Sequence, residues 1–145
     1  MRKLRAALLA LVVSFALAQF VKSERTNPPS DPAAGFEAVV QPPPHAAAVV
    51  ARSCRDCHSN ETAWPWYSRV APVSWLVARD VREGRAHLNF SQWNNYGPEM
   101  SRLRLKAICE EASQGNMPPK YYTPLHRGSR LTADDVGALC GLGGS

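Results

Sequence analysis

The chain has 145 residues, of which 45% are hydrophobic, and it carries a formal net charge of +5. This length is enough for one compact domain with a buried core. Three of the positive charges, on Arg2, Lys3 and Arg5, lie at the N-terminus, which leaves +2 for the rest of the chain. Because no dense stripe of lysine and arginine follows, the composition argues against nucleic acid as a partner.

The N-terminus has the pattern of a targeting segment. A basic stretch, residues 1–5, precedes an apolar run without charge from Ala6 to Val21. Ala16-Leu17-Ala18 fits the cleavage site of a secretory signal peptide. The alternative is a retained anchor, although these 16 residues are slightly fewer than the about 17–25 that a spanning helix needs. We therefore expect residues 1–21 to be a signal peptide or an N-terminal membrane anchor, and the rest to be exported to the periplasm.

The next segment, residues 22–44, contains six of the twelve prolines of the chain and is predicted to be an extended tether without helix. Four helices are predicted beyond it, and no segment alternates as a strand does. The third helix is expected to end at Gly115-Asn116 and the fourth to be capped by Thr132. The predicted ranges are 45–57, 72–83 with Gly84 as its stop, 98–114, and from Thr132 to about residue 141. The pattern thus predicts an all-α domain over residues 45–142, with long loops.

The sequence Cys54-Arg55-Asp56-Cys57-His58 carries the strongest functional signal. In such a motif each thiol can add across a haem vinyl group, and the adjacent histidine ligates the iron axially. A thioredoxin-like redox pair would need a βαβ context, and a zinc site would need a second close cysteine pair. Neither is visible, because Cys109 and Cys140 are 31 positions apart. We predict one covalently attached haem c, with His58 as the proximal iron ligand.

A second axial ligand is predicted at Met117, on a loop after the third helix. A thioether ligand favours reduced iron, and Pro118-Pro119 would stiffen the loop that presents it. The alternatives are that Met117 only fills a gap in the core, that a histidine takes its place, or that the coordination position is open. The candidate histidines are His87, His126 and His45.

Aromatic side chains are expected to line the haem and to exclude water, because they bury a large area at low entropic cost. Trp64, Trp66 and Tyr67 form the compact loop that we assign to haem binding. Ordinary core packing is the alternative for each aromatic residue. The wider set comprises Trp75, Phe90, Trp93, Tyr121 and Tyr122.

The two remaining cysteines, Cys109 and Cys140, lie on the third and fourth predicted helices. In an oxidising compartment such a pair readily forms a disulfide, and we predict that it does so. Two buried, unpaired thiols are the alternative.

Further motifs accompany the haem-attachment sequence. Trp64-Pro65-Trp66-Tyr67-Ser68 follows it closely, and the later ones span residues 72–76, 87–91 and 117–122. In combination they resemble the bacterial haem-binding domain family over roughly residues 38–142. The resemblance implies a small cytochrome-c-like domain, often behind a membrane-proximal N-terminal segment. It also implies that Cys54 and Cys57 attach the haem and that His58 and Met117 ligate the iron.

A haem iron with two protein ligands has no free coordination position, so it exchanges electrons and binds no substrate. We therefore expect one-electron transfer with redox partner proteins of the periplasm or the inner membrane. No catalytic constellation is visible, so we do not expect an enzyme. A five-coordinate haem sensor or peroxidase-like enzyme remains an alternative, as does a haem docking module of a larger oxidoreductase.

Overall fold

The computed structural model describes residues 1–143, and within them the fold is all-helical without strands, as predicted. Short 3-10 turns lie at Pro32–Ala34, Trp66–Arg69, Phe90–Asn95 and Arg127–Ser129. The α-helices are α1 (Arg2–Ala18), α2 (Phe36–Val40), α3 (Pro44–Ser53), α4 (Arg55–His58), α5 (Val73–His87), α6 (Pro98–Ser113) and α7 (Ala133–Gly141). None of the helices in this part of the chain has the length and apolarity needed to cross a membrane.

The core lies where α3, α6 and α7 meet the aromatic turn at Phe90–Asn95. Phe36 is fully buried there, with its ring centroid 5.1 Å from that of Phe90 and 4.8 Å from that of Trp93, both edge-on. Aliphatic side chains from α3 and α6 complete this core. Phe90 also lies edge-on to the His58 ring, at 6.5 Å between centroids, so the core supports the Cys-x-x-Cys-His motif directly.

The single helix predicted over residues 45–57 is wrong, because the structure divides it at Cys54. This residue has φ −124° and ψ −38°, outside helical geometry, and it separates α3 from α4. The hydrogen bonds continue across the break: Cys54 N–H donates to the Val50 carbonyl, and His58 N–H donates to the Cys54 carbonyl, each at 3.0 Å. The motif therefore turns away from α3 while it stays attached to it.

The predicted stop at Gly84 is also wrong, since α5 continues to His87. Gly84 is a buried helical residue that lies against the main chain of Cys57. Glycine is needed here for a close approach of two backbones and not for a left-handed helix end.

Residues 22–44 differ in part from the predicted extended tether without helix. The prediction of no helix is wrong for Phe36–Val40, which forms α2 because the prolines stop at residue 32 and resume at residue 42. Residues 22–31, which we call the strap, lack regular secondary structure but lie on the domain. Arg25 Nη1 donates to the Ser68 carbonyl at 2.7 Å, and Asn27 Nδ2 donates to the Thr62 carbonyl at 3.0 Å.

Three local predictions for the C-terminal half are confirmed: the left-handed Gly115, the cap at Thr132 and the disulfide. Gly115 adopts φ 69° just beyond α6, as a glycine at a left-handed helix end does. Thr132 Oγ1 accepts from Asp135 N–H at 3.2 Å, while an Asp135 carboxylate oxygen accepts from Thr132 N–H at 2.8 Å. Cys109 and Cys140 form the predicted disulfide, with 4.6 Å between their Cα atoms. The bridge joins α6 to α7, the two helices that flank in sequence the loop that carries Met117.

Candidate haem-attachment site

The His58 ring is oriented by two backbone carbonyl groups of the α5 end. Its Nδ1 lies 2.9 Å from the Gly84 carbonyl oxygen and 3.1 Å from the Leu88 carbonyl oxygen. Because a carbonyl oxygen can only accept, Nδ1 must carry the hydrogen, and Nε2 of the neutral ring keeps its lone pair. A histidine that ligates a metal is held in this way by its second nitrogen.

Burial keeps the His58 ring in the form that can ligate iron. It lowers the pKa of His58 below its ordinary value, although the hydrogen bonds to Leu88 and Gly84 act in the opposite direction. A neutral imidazole offers a lone pair to a metal, whereas an imidazolium does not. The geometry and the electrostatics of His58 therefore both fit the role of an axial ligand.

The two cysteines of the motif are reduced and half-buried. Burial raises the pKa of Cys54 to about 12 and that of Cys57 to about 11, and the charges of Asp80 and Asp56 contribute at Cys57. Both groups are therefore neutral thiols at physiological pH. Reactive Cys-x-x-Cys pairs of redox enzymes have lowered thiol pKa values instead, so the thioredoxin-like alternative is disfavoured.

A cavity of about 160 Å³ opens beside Cys57 and is lined mostly by apolar side chains. One wall comes from the loop after α4, the floor from α5, and the facing wall from residues 121–126. Pro65 and Tyr67 belong to the first wall. The floor comprises Val73, Leu76, Val77, Asp80 and Val81, and the facing wall comprises Tyr121, Tyr122, Leu125 and His126.

The predicted aromatic loop is only partly at this cavity. Tyr67 lines it, as do Tyr121 and Tyr122 of the wider set. Trp64 instead lines a second cavity of about 440 Å³ between the strap and α5. Trp66 is 77% exposed and lines neither of these two cavities, with its ring edge-on to Tyr67 at 5.8 Å.

Met117 lies on the loop between α6 and the tyrosines of the cavity wall. Its side chain is 41% exposed and does not line the 160 Å³ cavity, while its N–H donates to the Glu111 carbonyl at 3.3 Å. Of the candidate histidines, His126 does line this cavity. His45 pairs with Asp135 at 3.0 Å instead, and His87 is exposed at the end of α5.

A polar network at the cavity was missed in the sequence. The hydroxyl of Tyr122 donates to an Asp56 carboxylate oxygen at 2.9 Å, and that of Tyr121 donates to Asp80 at 2.8 Å. Tyr67 and His126 form a short hydrogen bond, and the His126 ring stacks on Tyr122 with 4.0 Å between centroids. Asp56 stands between the two cysteines, where the motif tolerates any residue, so the sequence offered no signal for it.

The fold and the site define an all-helical haem protein, because a tautomer-fixed histidine and two neutral thiols, of which that of Cys57 lines an apolar cavity, fit that cofactor. The sequence profile of the family described as haem-binding domain matches residues 13–141. The chain belongs to this family and is a haem-binding domain. The match begins before residue 38, so it includes the strap as well as α2. No curated protein and no solved structure was found to match the chain.

Proposed function

We propose that this protein is an exported c-type cytochrome that holds one covalent haem and transfers single electrons. The observation that carries the proposal is the pair of hydrogen bonds from His58 Nδ1 to the Gly84 and Leu88 carbonyl groups. They leave Nε2 as a lone-pair donor directly after the two cysteines, and the bound haem supplies an iron that cycles between its ferric and ferrous states.

Attachment requires no oxidant. The S–H of Cys54 and that of Cys57 would each add across one vinyl C=C bond of the haem: the S–H bond and the C=C π bond would break, and a C–S bond and a C–H bond would form. The half-buried position of both side chains suits a bond to an apolar macrocycle. Covalent attachment retains the cofactor in a domain this small once it is outside the cell.

Met117 is proposed as the second axial ligand. In support, the loop that begins with it continues into Tyr121 and Tyr122 on the cavity wall. The disulfide between Cys109 and Cys140 ties together the two helices that flank this loop. A thioether at the iron raises the reduction potential, which suits an electron carrier.

Export is proposed on two independent observations. Helix α1 buries none of its residues and exposes apolar side chains along its length, behind basic residues at its start. Such a helix suits a signal peptide or a lipid-facing anchor. The disulfide is of a kind that persists in oxidising compartments. We place the domain in the periplasm, free or held at the inner membrane, where it would meet its redox partner proteins.

A second candidate function is a five-coordinate haem that handles peroxide or a diatomic gas. The observation in its favour is that His126, hydrogen-bonded to Tyr67, lines the cavity beside Cys57 while Met117 does not. A histidine and a tyrosine hydroxyl at a distal face could hydrogen-bond an oxygen ligand.

Absorption spectra of protein made with the cytochrome c maturation machinery distinguish the two functions. We expect a low-spin, six-coordinate spectrum whose sulfur-to-iron charge-transfer band is lost in Met117→Ala. The matched control is Met100→Ala, a methionine of similar exposure on α6, which should keep the band. A high-spin wild-type spectrum that shifts when carbon monoxide is added would rule out the electron carrier and favour the second candidate function. If acidified acetone extracts the haem from the wild-type protein, covalent attachment is ruled out.

A further inference from the structure

Arg85 connects three separate segments of the chain. From α5, its Nε donates to the Ser59 carbonyl at 2.7 Å, and its Nη1 donates to the Thr26 carbonyl at 2.8 Å. Its Nη2 donates to the Asn27 side-chain oxygen at 3.1 Å and to Thr62 Oγ1 at 2.8 Å. One guanidinium group therefore holds the strap, the loop after the haem-attachment motif and α5 in a fixed arrangement.

These contacts lie next to the proposed iron ligand. Ser59 directly follows His58, and Gly84, the neighbour of Arg85, accepts from the His58 ring. Thr62 lines the cavity beside Cys57, and its hydroxyl donates onward to the Asp56 carbonyl at 2.7 Å. A hydrogen-bonded chain thus runs from the strap through the guanidinium into the middle of the motif.

The charge of Arg85 has no acidic partner among residues 1–143. Its four acceptors are uncharged, and none of the ion pairs in this part of the chain includes it. An arginine remains protonated under all ordinary conditions. A fixed positive charge near a redox centre stabilises the reduced state, which carries one more electron than the oxidised state.

We infer that Arg85 is a positioning residue of the haem site: its hydrogen bonds dock the strap on the loop that follows His58, and its unpaired charge raises the reduction potential. The inference rests on haem attachment at Cys54 and Cys57, as proposed above. It makes the strap a part of the haem site, although the strap lies more than 20 residues before the motif.

The test compares Arg85→Gln and Arg85→Lys with a matched control, Arg82→Gln. Arg82 is one turn earlier on α5 and 73% exposed, and its closest carboxylate is 4.0 Å away. The holoprotein is titrated spectroelectrochemically, and strap protection is measured by amide hydrogen exchange. For Arg85→Gln we expect the ratio of ferric to ferrous protein, at the wild-type midpoint, to rise at least about threefold. A tenfold rise corresponds to about 59 mV for one electron.

Arg85→Lys separates the two effects. A lysine keeps the positive charge but cannot present the planar fork of donors, so the potential should recover while strap protection stays low. Asn27→Ala should lower the hydrogen-exchange protection of the strap with little change in reduction potential. This variant tests the docking of the strap if Arg85→Gln does not fold. Arg82→Gln should change neither. If Arg85→Gln and Arg82→Gln have the same reduction potential, the electrostatic part of the inference is wrong. If amide hydrogen exchange of the strap is unchanged in Arg85→Gln, the docking part is wrong.

The absorption spectrum of the wild-type protein tests the proposed function separately. If the wild-type spectrum shows no covalent haem, attachment at Cys54 and Cys57 fails and the electrostatic part falls with it. Hydrogen exchange of the strap in the haem-free protein still decides whether Arg85 docks it.

Discussion

A Cβ atom placed on Gly84 would lie 2.5 Å from the carbonyl oxygen of Cys57 and 3.1 Å from its carbonyl carbon. Real Cβ atoms do not approach main chain this closely, and main chain cannot turn aside as a flexible side chain can. Helix α5 and the Cys-x-x-Cys-His motif therefore touch backbone to backbone. The same residue accepts the His58 hydrogen bond, so this contact sets both the position and the orientation of the proposed ligand.

Replacing Gly84 by alanine should push α5 away from α4. We expect the free energy of unfolding to fall by about 1–3 kcal/mol, as it does when a packed site is overfilled. The holoprotein should also lose low-spin character, because the His58 ring loses its fixed orientation. Gly137→Ala is the control: this glycine on α7 has open space around a Cβ, and alanine there should stabilise by about 0.5–1 kcal/mol. Urea unfolding measures the free energy of unfolding of both variants, and equal changes would contradict the close contact between Gly84 and Cys57.

The carboxylate of Asp135 should make stability depend on acid pH. The Thr132 N–H and the Arg52 guanidinium hold the pKa of this carboxyl well below its usual range, against the effect of burial. Because the folded pKa is the lower one, the stabilisation is complete above the unfolded value of about 4 and is lost as the pH falls through the folded value. Asp135→Asn should therefore cost about 1.5–3 kcal/mol at pH 7 and progressively less in acid.

The control for this prediction is Asp134→Asn, at the exposed neighbouring position in the first turn of α7. Urea unfolding of both variants between pH 7 and pH 2 gives the comparison. A cost for Asp135→Asn that does not change with pH would contradict the role of the ionised carboxylate.

Removal of the disulfide should destabilise the domain without displacing the haem. The bridge spans 31 positions, for which chain entropy predicts a loss of about 3–4 kcal/mol in the double variant Cys109→Ser, Cys140→Ser. Ser113→Ala is the control, since its hydroxyl lies 3.5 Å from the Cys140 sulfur but closes no loop. Urea unfolding should show a large fall in the free energy of unfolding for the double variant and a negligible change for Ser113→Ala. Loss of the sulfur-to-iron charge-transfer band from the double variant would mean that the bridge also holds the ligand loop.

Tyr122 should limit stability at alkaline pH. Burial, and next the charge of Asp56, raise the pKa of Tyr122 above its ordinary value, so the folded state keeps the neutral phenol. Above about pH 10 the unfolded chain ionises first, and stability falls until the folded pKa is reached. Tyr122→Phe should flatten this alkaline decline while costing about 1.5–3 kcal/mol at pH 7, because the hydrogen bond to Asp56 is lost.

Tyr121→Phe is the comparison for that variant, since its hydroxyl bonds Asp80 from a side chain that is 55% exposed. Its cost at pH 7 should be smaller. Thermal unfolding from pH 7 to pH 11 tests the pair, and parallel alkaline declines in wild type and Tyr122→Phe would contradict the assignment.

Structural features that depend on only a few neighbouring residues could be predicted from the sequence. The cap formed by Thr132 and Asp135 and the left-handed Gly115 are local patterns of this kind. The disulfide followed from compartment chemistry and a count of cysteines. The Cys-x-x-Cys-His motif is equally local, because its five consecutive residues indicate haem binding, which the family match confirms.

Features that depend on distant residues could not be predicted. Gly84 satisfies the pattern of a helix stop and that of a close backbone contact equally well, and only the position of Cys57 decides between them. The carbonyl groups that orient His58 come from residues 26 and 30 positions later. Trp64 and Trp66 are two residues apart yet face different surroundings, because the strap covers one and not the other.

The strap has a consequence for the order in which the domain is completed. Thr26 and Asn27 leave the ribosome 58 to 59 residues before Arg85, the side chain that fastens them. Both cysteines and the histidine of the motif emerge in between. The strap is thus fastened only after the motif that follows it in the chain has been synthesised. Until α5 arrives, the strap lacks the side chain that fastens it to the loop after the motif.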